Sequence, residues 1–202
     1  MTELRLEGFV GDDFSHATLD PYLSENAGEP VRLIVNSGGG FAHEGAAMAA
    51  SIRRHGQVVA EVRGIAASAA SLLVVAAQTV EMDRAAVMMI HEPAGFTMGP
   101  ADAHRKTAED LDRLSAVYAA DYAAASGQSA ARVAAWMKDE TWFSADDAVA
   151  LGFADRVSEG PAPEPVARFD YTQFRRAPAE LVTLARAKGW ATAKEPEGGR
   201  AA

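Results

Sequence analysis

Two neighbouring segments of this sequence follow the same plan, in which an apolar, β-branched run leads into a glycine-containing break and then into a helix-forming stretch. The first segment covers residues 31–55 with its break at residues 36–40, and the second covers residues 58–78 with its break at Gly64. Parallel strands need a long crossover connection, which is usually a helix. The repeated plan therefore predicts an α/β fold whose sheet is largely parallel.

Length and composition indicate one domain followed by an extension. With 202 residues, of which 49% are hydrophobic, the chain can bury a single substantial core. We expect a domain over residues 1–158 and an extension over residues 159–202. The extension opens on a Pro-rich linker, has a helix-forming stretch at residues 177–188 and ends in a polar tail whose composition is typical of disorder.

The composition also disfavours several functional classes. The sequence contains no cysteine, which excludes disulfides and thiolate metal sites. A net charge of -9 argues against non-specific nucleic-acid binding, which depends on Lys and Arg. No run approaches the roughly 20 apolar residues of a transmembrane helix, and the first residues carry charges where a signal peptide is apolar. We therefore expect a cytoplasmic protein without nucleic-acid or membrane partners.

The rest of the chain continues the alternation of strands and helices. Residues 101–125 are rich in Ala and lack Gly and Pro, which predicts the longest helix. An N-terminal helix should begin near Pro21, because proline is tolerated in a first helical turn and disrupts a helix interior. The other predicted elements are strands at residues 4–9, 80–82, 87–90 and 153–157 and helices at residues 43–55, 68–78, 129–138 and 144–151.

Ser68 is a candidate nucleophile because the repeated plan places it after a strand and a glycine turn, at the start of a helix. Unpaired backbone N–H groups at such a position favour developing negative charge. A serine nucleophile also needs a base, and His91 directly follows the predicted strand at residues 87–90. Each residue alone has a structural alternative, since such a serine is more often a helix N-cap and such a histidine a surface residue.

Four short sequences, in this order, resemble the motifs of the ClpP family of serine peptidases. They are Asn-Ser-Gly-Gly-Gly at residues 36–40, Gly-Ile-Ala-Ala-Ser at 64–68, Met-Ile-His-Glu-Pro at 89–93 and Trp-Phe-Ser-Ala-Asp-Asp at 142–147. The resemblance covers about residues 31–157. It implies a ClpP/crotonase-like spiral of β-β-α units with a long handle-like helix, and a serine endopeptidase that needs no metal or organic cofactor.

The resemblance also assigns roles to individual residues. Ser68 lies at the family's nucleophile position and His91 at the position of its base. Glu140 lies where the family has an aspartate, which implies that it orients His91, and Asp139 immediately before it is a rival for that role. The implied oxyanion donors are the backbone N–H groups of Gly39, Gly40 and Ala69.

For partners, the resemblance implies a polypeptide substrate and a homo-oligomeric ring. Gly38, where the family has proline, departs from the housekeeping enzyme, and the extension after Val157 is more similar to the ClpP-related head maturation proteases of tailed phages and prophages. That branch implies capsid or scaffold protein as the substrate and the procapsid as a location. It works without an AAA+ unfoldase, whose docking the short N-terminal segment also disfavours.

Two other interpretations stay open. One is a crotonase-type acyl-CoA hydratase or isomerase, which shares the fold and a pair of N–H donors but does not require Ser68 and His91 together. The other is a catalytically inactive assembly component, in which the helix at residues 101–125 makes ring contacts.

Overall fold

The computed structural model describes residues 1–158 and 166–191, and the strands of this part form one sheet. The strands are β1 (Thr2–Val10), β2 (Val31–Gly40), β3 (Val58–Ala67), β4 (Thr79–Asp83), β5 (Val87–Ile90), β6 (Thr141–Ser144) and β7 (Arg156–Ser158). The helices are α1 (His16–Glu25), α2 (Ala42–His55), α3 (Ala69–Val74), α4 (Ala101–Ser126), α5 (Ala130–Lys138), α6 (Ala145–Ala150) and α7 (Ala179–Ala187), with a 3₁₀ helix at Tyr171–Gln173.

The sheet follows the order β1-β2-β3-β4-β7, and all of these neighbours are parallel. β3 is long enough to have two successive partners along one edge, because residues 59–62 pair with β4 and residues 65–67 pair with β5. β5 in turn pairs antiparallel with β6. This mainly parallel sheet with helices between its strands confirms the predicted α/β class.

The two glycine breaks are the main correction to the predicted elements. β2 runs through the first break to Gly40, and β3 runs through the second at Gly64. These glycines have φ of 156° and 101°, values that residues with a side chain rarely adopt. β1 continues to pair with β2 as far as Gly40. The longer strands extend the sheet up to Ser68, and the helix predicted at residues 68–78 is reduced to Ala69–Val74.

α1 begins at His16 and carries Pro21 in its interior, so the start predicted near that proline was wrong. The Ser15 N–H donates to the Thr18 hydroxyl at 3.1 Å, which fixes the first turn of the helix. Leu19 on the same helix is fully buried. Burial of the apolar face therefore outweighs the hydrogen bond that the proline cannot make.

The last strand begins at Arg156, three residues after the start predicted for it at residue 153. The Phe153 N–H donates to the Ala148 carbonyl at 2.8 Å, and Gly152 before it has a φ of 83°. This pattern closes the end of α6. Phe153 therefore belongs to the helix end and the core, and pairing with β4 starts after it.

At the centre of the larger core, a group of aromatic rings packs elements of the second half of the domain against one another. Phe153 stacks on Phe143 with ring centroids 5.1 Å apart. Trp136 and Tyr122 also contact Phe153, at centroid distances of 5.9 and 6.2 Å. These contacts link α4, α5 and β6 around one ring.

A second apolar cluster lies on the other face of the sheet and includes residues 166–191, which we call the C-terminal segment. On the sheet side it contains Ile65, Ala67 and Met89. Side chains alternate between the two faces of a strand, so Ala66 points into the larger core instead. The residues that the C-terminal segment contributes are Phe169, Tyr171, Phe174, Leu181 and Ala185.

Two parts of the predicted extension, the linker at residues 159–165 and the tail from residue 195, lie outside the described residues. Between them, α7 occupies most of the helix-forming stretch at residues 177–188. Among the helices that the structure describes, none combines the length and the apolar character needed to cross a membrane.

Phe153→Ala should lower the free energy of unfolding by about 3–5 kcal/mol, because it leaves a cavity among the aromatic rings that pack on Phe153. Phe96→Ala is the matched control, since the Phe96 side chain is 90% exposed, and its effect should stay within about 0.5 kcal/mol. Denaturant unfolding followed by circular dichroism measures both variants. Equal effects would contradict the central position of Phe153.

Candidate active site

Ser68 lies at the carboxyl end of β3, directly before α3, in a strained backbone conformation. Its φ is 57° and its ψ is -126°, a combination that residues with a side chain rarely adopt. The Ser68 N–H donates to the Met89 carbonyl in β5 at 3.0 Å. The pairing of β3 with β5 therefore continues one residue beyond Ala67 and fixes the position of the Ser68 hydroxyl.

His91 follows the end of β5, the strand that lies beside the last part of β3. Its Nε2 atom is 2.7 Å from Oγ of Ser68, a hydrogen-bond distance. When the hydroxyl donates, Nε2 is the unprotonated ring nitrogen and Nδ1 carries the proton. The structure thus brings together two residues 23 positions apart in the arrangement that a nucleophile and its general base require.

The surroundings of His91 favour its neutral form. Burial lowers the pKa of the imidazole below its usual range, the charge of Glu140 opposes this effect, and the charge of Arg175 adds to it. The edge of the Phe174 ring contacts His91, with ring centroids 5.6 Å apart, and contributes to the burial. A lowered pKa leaves His91 unprotonated at neutral pH, as a general base must be.

Glu140 lies in the turn between α5 and β6 with a φ of 52°, and it is only 3% exposed. Its carboxylate accepts hydrogen bonds from the backbone N–H groups of Arg175 at 2.8 Å and Arg176 at 2.6 Å. Nε1 of Trp142 is a third donor at 3.4 Å. Within the described residues no hydrogen bond joins Glu140 to His91, so its effect on the imidazole is electrostatic.

Asp139, the rival acid, lies on the protein surface. It is the C-cap of α5, and its side chain is 61% exposed. Its carboxylate pairs with the guanidinium of Arg176 at 3.5 Å. Of the two adjacent carboxylates, Glu140 is the one buried close enough to His91 to change its pKa.

The candidate oxyanion donors are the backbone N–H groups of Gly39, Gly40 and Ala69, and that of Gly39 already makes a hydrogen bond. A Cβ atom on Gly39 would come within 2.7 Å of the Ser68 Cβ, so the close approach of β2 to Ser68 requires glycine there. The Gly39 N–H already donates to the Ser37 hydroxyl at 3.1 Å. Gly40 and Ala69 line the same cleft as Ser68.

The buried hydroxyl groups of Ser71 and Tyr122 lie next to the backbone of Ser68, and the sequence motifs did not indicate this contact. Oγ of Ser71 is 2.8 Å from the Ser68 carbonyl oxygen and 2.7 Å from the Met89 carbonyl oxygen. It also lies 2.9 Å from the hydroxyl of Tyr122. Burial raises the pKa of Tyr122, so its hydroxyl stays protonated. Ser71 thus connects the ends of β3 and β5 beside Ser68.

A cleft of about 230 Å³ opens beside the Ser68 hydroxyl. Its described lining includes no Asp, Glu, Lys or Arg. The aromatic residues that line it are Phe9, Phe41, Tyr118, Tyr122, Phe169 and Phe174. The cleft is therefore suited to an apolar group. Across residues 1–158 and 166–191, no group of three or more His, Asp and Glu side chains could hold a metal ion.

The sequence interpretation did not include the C-terminal segment in the site. The structure places Phe169, Gln173 and Phe174 in the lining of the cleft, and the backbone of Arg175 and Arg176 on Glu140. One signal was present, because aromatic residues at positions 169, 171 and 174 are unusual in a polar linker. Such spacing indicates a segment that packs against the domain.

NMR titration of the His91 imidazole should give a pKa below the usual value of about 6.5. Arg175→Ala should raise this pKa because it removes a positive charge, and Glu140→Gln should lower it because it removes a negative one. An unchanged pKa in both variants would contradict these electrostatic effects. Since the folded-state pKa lies below the unfolded one, the stability linked to His91 is present above about pH 6.5 and is lost as the pH falls through the folded-state pKa.

Comparisons with known proteins identify the family and the fold. The model of the family described as Clp protease matches residues 16–161, which is more than half of the chain. Among solved structures, a mutant of ClpP1 from Listeria monocytogenes is similar with a TM-score of 0.71 and 21% sequence identity, over 78% of this chain and 91% of that chain. This likeness confirms the predicted ClpP-like fold. The chain belongs to the Clp protease family, a family of serine peptidases.

Proposed function

We propose that this protein is a serine endopeptidase in which Ser68 is the nucleophile, His91 the general base and Glu140 the acid that orients His91. The observation that carries the proposal is the 2.7 Å contact between Ser68 Oγ and His91 Nε2. Membership of the Clp protease family supports the same chemistry. A crotonase-type acyl-CoA hydratase or isomerase would not need this contact, and neither would an inactive assembly component.

Acylation begins when Ser68 Oγ attacks the carbonyl carbon of a peptide bond while His91 Nε2 takes the hydroxyl proton. The oxyanion that forms accepts hydrogen bonds from the N–H groups of Gly40 and Ala69. Each such donor stabilises the transition state by about 3 kcal/mol in comparable enzymes. We assign Gly40 rather than Gly39 because the N–H of Gly39 is already bonded to Ser37.

Two proton transfers through His91 complete the cycle. The imidazolium first protonates the leaving amine as the C–N bond breaks, which leaves an ester on Ser68. A water molecule then gives a proton to His91 and attacks the ester, and the proton returns to Ser68 as the carboxylic acid leaves. Glu140 transfers no proton in these steps, because its charge acts by stabilising the imidazolium that forms twice.

The cleft beside Ser68 supports a polypeptide substrate with an apolar side chain near the cleaved bond. Its described lining has aromatic rings and no charged side chain, so a charged substrate side chain would lose its hydration there without gaining a partner. Clp family members cleave polypeptides. We therefore propose hydrolysis of peptide bonds next to apolar residues.

We further propose that the protein forms a homo-oligomeric ring and acts as a head maturation protease on capsid or scaffold protein, without an AAA+ unfoldase. Clp family members form such rings. Along α4, Val117 is exposed beside Leu111 and Leu114, which offers apolar contact area, flanked by Asp110 and Arg113, for a neighbouring subunit. The C-terminal segment lies beyond the family match at residues 16–161, and an extension after the domain is the feature that resembles the head maturation branch.

A fluorophosphonate probe should label the protein at one site, and Ser68→Ala should abolish the labelling because no other hydroxyl is paired with His91 in the described structure. Intact-protein mass spectrometry measures the adduct, and peptide mapping locates it. Ser24→Ala is the control, because Ser24 is exposed on α1 and does not line the cleft. Undiminished labelling of the Ser68→Ala variant would refute the nucleophile assignment.

Glu140→Ala should lower kcat for peptide hydrolysis by about 10⁴-fold, the loss seen when the acid of a serine protease triad is removed. Asp139→Ala is the matched control, because it removes a neighbouring carboxylate that is exposed, and its kcat should stay within about twofold of wild type. Circular dichroism checks that both variants fold. A loss confined to Asp139→Ala would show that the acid is Asp139.

A further inference from the structure

We propose that the C-terminal segment is part of the active site, where the backbone N–H groups of Arg175 and Arg176 hold the Glu140 carboxylate in the position from which it orients His91. These two are positioning residues, because they act through Glu140 and touch no reacting atom. The inference rests on the triad of the proposed function and adds to it a structural element outside the family match at residues 16–161.

Glu140 needs these donors because it is both ionisable and buried. A carboxylate withdrawn from water is stable only when hydrogen bonds replace its hydration. Of the three donors that the structure gives it, two belong to the C-terminal segment, and the third is Nε1 of Trp142 at the longer distance of 3.4 Å. Without the segment, this one long hydrogen bond would remain.

The two backbone donors fix the orientation of the carboxylate as well as its position. The Arg175 N–H bonds to Oε2 of Glu140 at 2.8 Å, and the Arg176 N–H bonds to Oε1 at 2.6 Å. Because each oxygen has its own donor, the carboxylate group cannot rotate without breaking a hydrogen bond. An ionised carboxylate offers about four acceptor sites. Trp142 is the third donor, so one site remains free, and within the described residues His91 is not bonded to it.

Contacts on both sides of the donors hold them in place. Ahead of them, the Ala167 N–H donates to Oδ1 of Asn36 at 2.9 Å, which attaches the segment to β2. At the donors themselves, the guanidinium of Arg175 donates to the Lys138 carbonyl at 2.8 Å, at the end of α5. Beyond them, α7 buries Leu181 in the second apolar cluster. The donors thus belong to a packed element of the protein.

Gly38 provides independent support, because a side chain at this position would collide with the C-terminal segment. A Cβ atom at Gly38 would lie 2.3 Å from the Phe169 ring. The φ of Gly38 is not in the positive region, so this position requires space rather than an unusual backbone. Phe169 stacks on Phe174 at 5.4 Å, and the Phe174 ring contacts both His91 and Trp142 edge-on. The segment therefore packs against the base as well as the acid.

An amide-to-ester replacement at position 175 tests the proposal most directly, since it removes one N–H and keeps the side chain. A synthetic peptide that covers position 175 and carries the ester can be ligated to the expressed remainder of the chain. Arg175→Pro removes the same N–H by mutation, and the preceding Phe174 has a ψ of 138°, which is compatible with a following proline. Arg175→Ala is its matched reference, because both variants lack the guanidinium.

We expect kcat to fall about 100-fold in the ester variant relative to wild type, and in Arg175→Pro relative to Arg175→Ala, with KM little changed. A displacement of about 1 Å in a catalytic group costs that much. The acidic limb of kcat/KM should also move to lower pH in the same two comparisons, because a displaced Glu140 raises the pKa of His91 less. A purely structural defect would lower the rate equally at every pH.

The proposal is overturned if kcat is equal in both comparisons and the acidic limb of kcat/KM does not move. Higher activity in the variants would also overturn it and would identify the C-terminal segment as an inhibitory cover over the cleft. If Arg175→Pro does not fold, the ester variant alone decides. Fluorophosphonate labelling separates this test from the proposed function: an unlabelled wild-type protein refutes the serine peptidase, whereas a labelled, active wild type with unaffected variants refutes only the positioning role.

Discussion

The active site depends on the parallel pairing of β3 with β5. Ala67 lies opposite Met89 in this pair, and the Ser68 N–H extends the pairing by one hydrogen bond. Because parallel neighbours end at the same edge of a sheet, Ser68 and His91 leave it side by side. Gly64, with its positive φ, lies where β3 exchanges β4 for β5 as its neighbour. The distance between the two side chains is thus set by backbone pairing, before any side-chain packing contributes.

Backbone strain is concentrated at the two ends of the proposed triad. Among the described residues, Ser68 and Glu140 are the ones that have a positive φ without being glycine. Such conformations cost about 1–3 kcal/mol each and persist only where neighbours hold them. At Ser68 the support comes from Ser71, which contacts carbonyl groups of both strands. At Glu140 it comes from hydrogen bonds to the C-terminal segment. Packing elsewhere in the fold therefore stabilises both strained residues.

The sequence was informative where local pattern decides the structure and uninformative where distant contacts decide it. The alternation of apolar runs and helical stretches predicted the α/β fold, and the motif order indicated that Ser68 and His91 lie together. Glycines were misinterpreted as breaks, because a turn and a strand with positive φ have the same local signature. The role of the C-terminal segment was missed, since Asn36 and Ala167 are 131 residues apart. No local pattern tells which surface a distant aromatic residue will cover.

The C-terminal segment is synthesised after the rest of the domain, and this order affects when the peptidase becomes active. During synthesis the residues of β1 to β7 leave the ribosome before residues 166–191. A nascent chain at that stage already contains Ser68, His91 and Glu140, but not the donors that hold Glu140. With the positioning role proposed for Arg175 and Arg176, efficient cleavage begins only after residues 166–191 have been synthesised and packed on the domain. A nascent chain that has not reached this segment therefore carries Ser68, His91 and Glu140 without being an efficient peptidase.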